Sequence, residues 1–254
     1  MQIAFISPVS VQRWTQDYTF YYMALLGELQ HNPAYAAFFR EVCGVPANFI
    51  TLNCYDSKVT EDVFIRWIRM LRPSEVILPD VKGSRKGTVQ NAVHFHRVCK
   101  RYCNQNNFPS HFMGVPQGET LDEWFACLHD LLTLPYIDTI GVSSQVRYFT
   151  SNRLELLPEV RVFAKKKYIH LLGTDYKLDE IKGVLKDFKW VRSTDTKKVA
   201  RLASKSIVYP NYNDVLTIDE SFFSTNFTSQ EAQCFRDNMH YIKKVLGHYD
   251  LSRG

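Results

Sequence analysis

Short apolar, β-rich runs alternate with segments of helical period along most of this chain, and this alternation restricts its fold more than any other feature. The runs are Ile3–Ser7, Asn48–Asn53, Glu75–Asp80, Ser110–Val115, Asp138–Ser143, Lys167–Leu172, Lys189–Arg192 and, most weakly, Lys205–Tyr209. Helical patterns fall between them. Asp62–Leu71 places Val63, Trp67, Ile68 and Leu71 on one face. Thr88–Asn104 follows a turn-forming Gly87-Thr88, and Asp175–Lys186 groups Leu178, Ile181, Val184 and Leu185. Thr120–Leu132 opens with Thr120 and has Glu123 three residues on, the spacing of a capping box. Strand then helix, repeated, requires parallel strands joined by crossover helices. Runs such as EVILPD and YIHLLG are apolar throughout, as strands buried on both faces must be.

Eight such units in 254 residues match an α/β (β/α)8 barrel, the TIM barrel, with a doubly wound open sheet as the alternative. The barrel is expected over residues 1–209. Residues 210–254 form an extension with a helix near Ser229–Leu246, packed on the barrel. The proportions exclude collagen, coiled coil and intrinsic disorder: 45% of residues are hydrophobic and 22% charged. A net charge of +5 permits a nucleic-acid partner without requiring one. The basic residues gather at Lys82–Lys86, Lys165–Lys167 and Lys197–Arg201. The start MQIAFISPVSV lacks the features of a secretory signal, and no apolar run reaches the length of about 18 residues that a membrane span needs. The expectation is a cytoplasmic protein, with no membrane partner and its six cysteines reduced. His96, Cys99 and Cys103 could share one helix face, but a zinc site needs a fourth ligand. Buried structural cysteines are the preferred reading, and no metal is expected.

Barrel active sites lie at the carboxyl ends of the strands. Those ends read Asn53-Cys-Tyr-Asp56, Pro79-Asp80, Pro116-Gln117-Gly118, Ser143-Ser144, Leu172-Gly173 and Ser193-Thr-Asp195. A carboxylate can attack a sugar carbon or carry a proton. A glutamine and an aspartate together can read a hydrogen-bonding edge. Taken singly, each has a plainer role: Asp80 as an Asx turn, Asp195 as a helix N-cap, Gln117-Gly118 as a turn. Gly83-Ser-Arg-Lys-Gly-Thr88 lacks phosphate-loop spacing and reads as a basic loop.

The ordered segments Val76-Ile-Leu-Pro-Asp80, Met113-Gly-Val-Pro-Gln-Gly118, Asp138-Thr-Ile-Gly-Val-Ser-Ser144, His170-Leu-Leu-Gly173 and Arg192-Ser-Thr-Asp-Thr196 resemble the tRNA-guanine transglycosylases. They resemble more closely the phage relatives that place 7-deazaguanines in DNA (the DpdA-type enzymes). The resemblance implies base exchange through a covalent aspartyl-nucleotide, with a preQ0-like 7-deazaguanine as co-substrate and no other cofactor. It implies DNA rather than tRNA as partner, because the family's zinc motif is missing. It makes Asp195 the nucleophile. Asp80, Gln117, Gly118, Ser143, Ser144, Leu172 and Gly173 become the base-binding set. Lys82, Arg85, Lys86, Lys197, Lys198 and Arg201 become phosphate contacts. The family's second catalytic aspartate falls at Asn53-Cys-Tyr-Asp56, where Asn53 cannot act as a base; either Asp56 substitutes from the loop or the proton goes elsewhere. A base-removing glycosylase and a non-catalytic nucleic-acid-binding subunit are the alternatives.

Overall fold

The computed structural model describes residues 1–54, 59–174, 178–210 and 222–251. In chain order its elements are β1 (Gln2–Phe5), α1 (Val9–Gln12), β2 (Tyr21–Leu25), α2 (Leu26–His31), α3 (Pro33–Val42), β3 (Phe49–Asn53) and α4 (Glu61–Leu71). There follow β4 (Glu75–Ile77), α5 (Arg85–Tyr102), β5 (His111–Gly114), α6 (Leu121–Thr133), β6 (Ile137–Ser143) and α7 (Leu157–Ala164). The chain ends with β7 (Tyr168–Leu172), α8 (Leu178–Asp187), β8 (Ser193–Thr196), α9 (Lys198–Ala203) and α10 (Ser229–Leu251). The eight strands form one sheet in the order β1-β8-β7-β6-β5-β4-β3-β2, and every recorded pairing is parallel. With helices between strands and a C-terminal helix, this is a (β/α)8 barrel, as the alternation implies.

Three segments differ from expectation. Tyr21–Leu25 is a strand that the sequence reading passed over; it pairs with β3 from Tyr21↔Phe49 to Leu25↔Asn53. Lys189–Arg192 is not a strand. Val191 N–H closes a turn onto the Phe188 carbonyl at 2.8 Å, and Gln2 N–H bonds the Arg192 carbonyl at 2.9 Å, where the ladder with β1 begins. The strand is Ser193–Thr196, so Asp195 belongs to β8 itself. Lys205–Tyr209 is not a strand either. The buried Asn238 of α10 donates to the Ile207 carbonyl at 2.9 Å and accepts from Tyr209 N–H at 2.7 Å. A side chain thus satisfies backbone groups that a ladder would otherwise pair.

The chain forms two compact units. One holds residues 1–20 and 173–254. Its core joins β1 and β8 with the apolar faces of α9 and α10, where Leu202, Phe235, Met239 and Ile242 are fully buried. The other unit holds residues 21–172 and the strands from β2 to β7. Its helices have clear starts. Thr60 caps α4 by accepting from Val63 N–H, Ser84 caps α5 from Gly87 N–H, and Thr120 caps α6 from Glu123 N–H. Glu123 returns a bond to Glu119 N–H at 2.8 Å, one residue before the cap.

A polar layer runs through the core of this second unit. Glu75, 0% exposed, accepts from Thr51 Oγ1 at 3.1 Å and from Thr139 Oγ1 at 2.6 Å. Thr51 also meets the Tyr21 hydroxyl, which lies 3.2 Å from His170 Nδ1. A buried carboxylate is tolerable only when hydrogen-bonded in this way. Nearer the carboxyl ends the core is apolar and tight: a Cβ on Gly141 would lie 2.9 Å from both Leu172 Cδ1 and Met113 Sδ.

Candidate active site

In the unit formed by residues 21–172, Asp80 and Gln117 meet just beyond the carboxyl ends of β4 and β5. Leu78 N–H bonds the Met113 carbonyl at 3.0 Å, which carries the pairing one residue past β4 and aligns the two loops. The Gln117 side chain is buried, and its Nε2 donates to Asp80 Oδ2. Its Oε1 accepts from Gly83 N–H at 3.4 Å. Both ends of the amide are therefore assigned. Gly83 has φ +71°, a conformation that glycine adopts without strain. The rest of the loop is tied by Thr88, whose Oγ1 accepts from Val81 N–H at 3.0 Å.

Gly118 lets the β5 loop lie directly on the first turn of α6. A Cβ there would stand 2.5 Å from Trp124 N and 2.8 Å from the Glu123 carbonyl carbon. The next strand end supplies Ser143, whose hydroxyl accepts from Gln145 N–H at 3.2 Å and opens a short 3-10 turn, Ser144–Tyr148. Lys82, Gln117, Gly118, Ser143, Gln145 and Tyr148 line a small cavity of about 80 Å³.

Arg153 is a site-region residue that the sequence did not reveal. It is buried, and its Nη1 donates to the Val142 carbonyl at 2.9 Å and the Leu172 carbonyl at 2.6 Å. One guanidinium thus fixes the carboxyl ends of β6 and β7. An isolated arginine in a polar loop carries no motif. The only local signal is Asn152, which caps the following turn through Leu154 N–H.

The other sequence-selected residues fall elsewhere. Asn53 ends β3 with its amide 3.4 Å from Met23 Sδ. Asp56 lies outside the described residues. Asp195 is buried in the other unit, where Oδ1 accepts from Gly173 N–H at 3.0 Å and its backbone carbonyl accepts from Thr174 N–H at 2.9 Å. It does not cap α9, whose N-terminal flank is Lys197. Lys198 and Arg201 are only 3% and 6% exposed, so their charges are not displayed to solvent. Lys197 lies 5.2 Å from the Phe223 ring centre. Lys82 and Lys86 are exposed. Arg85 forms a two-pronged ion pair with Asp130, at 2.7 and 3.1 Å, which raises the guanidinium's proton affinity. His96 stacks on Tyr136 at 3.5 Å between ring centres. Among the described residues no three His, Cys, Asp or Glu side chains converge as metal ligands, and no helix is long and apolar enough to cross a membrane.

No family model and no curated sequence matches the chain. Solved structures do. One is a phosphonopyruvate hydrolase complexed with oxalate and Mg²⁺, at 10% identity over 77% of this chain and 75% of that one, with a TM-score of 0.50. Another is an HpcH/HpaI aldolase from Desulfitobacterium hafniense DCB-2, at 8% identity over 77% of this chain and 86% of that one, with a TM-score of 0.52. At such identities the likeness is one of fold. These barrels are a hydrolase and an aldolase, not base-exchange enzymes, and they correct the expectation of a pentosyltransferase that replaces guanine in DNA. The role of Asp195 as a sugar-attacking nucleophile is given up with it.

Proposed function

We propose that this chain is an enzyme acting on a small carbonyl-containing acid, and that it makes or breaks a bond next to the carbonyl. The observation that carries this reading is the Asp80 carboxylate held by the Gln117 amide, which itself forms part of the wall of a small cavity at the strand ends. Enzymes built on this fold place their chemistry at that end. The activities of the two similar barrels, hydrolysis of phosphonopyruvate and aldol chemistry, both concern small carbonyl compounds.

In this reading Asp80 is the general base or acid. It takes a proton from a hydroxyl or water at the reacting centre and returns it to the leaving fragment. Gln117 is a positioning residue that fixes the carboxylate and its rotamer. Lys82 and Gln145, on the cavity wall, offer hydrogen-bond donors to the substrate's carboxylate and carbonyl oxygens. The Mg²⁺ of the similar hydrolase has no counterpart ligand set among the described residues, and no step here passes through a metal.

The test is to incubate the protein with 2-oxo acids, 4-hydroxy-2-oxo acids and phosphonopyruvate, with and without Mg²⁺, and to follow the products by NMR. Cleavage of one of these by the native chain, lost in Asp80→Asn, is the expected result. Failure to turn over any of them, or full activity in Asp80→Asn, overturns the proposal.

A further inference from the structure

The polar layer in the core of residues 21–172 does more than shelter a carboxylate. Four side chains from four strands form one continuous hydrogen-bonded chain: Glu75 on β4, Thr51 on β3, Tyr21 on β2 and His170 on β7. Thr51 Oγ1 lies 3.1 Å from Glu75 Oε2 and 3.2 Å from the Tyr21 hydroxyl. That hydroxyl lies 3.2 Å from His170 Nδ1. All four residues are buried, so bulk water does not compete for these protons. In the sheet β4 and β7 are separated by β5 and β6. The chain of hydrogen bonds thus links two strands that share no ladder.

Counting protons gives the chain a direction. A carboxylate only accepts hydrogen bonds, and a hydroxyl has a single proton to donate. Thr139 Oγ1 donates to Glu75 Oε1 at 2.6 Å and satisfies one carboxylate oxygen. The other oxygen takes the Thr51 proton. With that proton committed, Thr51 meets Tyr21 as an acceptor, and the Tyr21 hydroxyl donates to it. Tyr21 then has no proton left for His170, so the last contact closes when Nδ1 carries the hydrogen. In a neutral imidazole this makes Nε2 the acceptor end. The opposite direction would turn a hydroxyl lone pair towards Glu75 Oε2, and a buried carboxylate oxygen without its donor is costly.

We propose that these groups are a polarised relay through which the buried Glu75 carboxylate dictates the tautomer of His170. Thr51 and Tyr21 are its positioning residues. Each passes on the direction set by the carboxylate, and neither changes its own protonation. A substitution at Thr51 therefore alters an imidazole to which Thr51 is not itself hydrogen-bonded.

The experiment labels the histidines of the full chain with ¹⁵N and reads the protonation of each ring nitrogen from long-range ¹⁵N–¹H spectra. The His170 signals are those lost in His170→Gln. In the native chain His170 should be protonated at Nδ1 and bare at Nε2. Thr51→Val is nearly isosteric and removes the link. The Tyr21 proton then turns to Nδ1, and the ring should become protonated at Nε2. Thr51→Ser restores the hydroxyl and should restore the native tautomer. His96, which stacks on Tyr136 outside this chain, should keep its signals throughout. The native spectrum decides even if Thr51→Val fails to fold. A native His170 protonated at Nε2 alone or at both nitrogens, or a folded Thr51→Val that keeps the Nδ1 proton, overturns the proposal.

Discussion

Arg153 donates to the carbonyl of Leu172 at 2.6 Å, and the same nitrogen reaches Val142 at 2.9 Å. A single buried cation thereby joins the exits of β6 and β7, two strands whose ladder has just ended. Arg153→Met keeps much of the volume and removes both donors. Hydrogen bonds from a charged donor, with acceptors left unpaired on its loss, put the cost at about 2–4 kcal/mol. Urea denaturation should show a lower midpoint with an unchanged slope, and Arg153→Lys should recover part of the loss.

Gln117 donates to Asp80 and also lines the small cavity at the strand ends. Gln117→Leu should leave the fold in place, since the site lies in a loop anchored by Thr88 and by the Leu78–Met113 bond. Turnover should fall by about ten- to a hundredfold, the loss expected for one hydrogen bond to a charged group. The fall should lie in kcat rather than KM, and the acidic limb of the pH profile should move. An unchanged profile would assign Gln117 to packing alone.

Gly118→Ala tests the close approach of the β5 loop to α6. The new methyl would meet the backbone of Glu123 and Trp124, which cannot swing aside as a side-chain end can. Overpacking of this kind costs about 1–3 kcal/mol. Thermal unfolding should show the loss, and the helix start at Thr120 should exchange its amide hydrogens faster.

His96 gives the fold a dependence on pH. Burial, and then the nearby Lys100 ammonium, lower its proton affinity from the usual 6.5 to about 4. Between those values the unfolded chain holds a proton that the folded chain does not. The contribution of His96 is therefore complete above pH 6.5 and is lost as the pH falls through about 4. Denaturation midpoints measured across that window should decline with acidity. In His96→Phe, which can still stack on Tyr136, the decline should be shallower.

The sequence disclosed the architecture through its apolar strands and its capped helices, and it located Asp80, Gln117 and Gly118 together. It failed where strand character comes from partners rather than from composition. Tyr21–Leu25 runs directly into the helix Leu26–His31 with no turn residue between, so the apolar stretch has no legible boundary. Ser193–Thr196 is polar, and its pairing, in register with Gln2–Phe5, makes it a strand. The Trp190-Val191 pair beside it gave the stronger but misplaced signal. The buried Glu75 lay hidden in a run read as apolar, because its hydroxyl partners Thr51 and Thr139 are distant in the chain. The barrel did not itself disclose the reaction, since many chemistries share it.

The pairing of β1 with β8 joins residues almost two hundred positions apart, from Gln2↔Ser193 to Phe5↔Thr196. During synthesis the first strand emerges from the ribosome long before its partner exists. Its ladder edge must wait in the open while the intervening chain is made, and edges of that kind recruit other strands. The pairing of these two strands is thus the step at which a chaperone or a crowded medium would have most influence on yield. It also makes truncation near Thr196 costly to an element at the opposite end of the sequence.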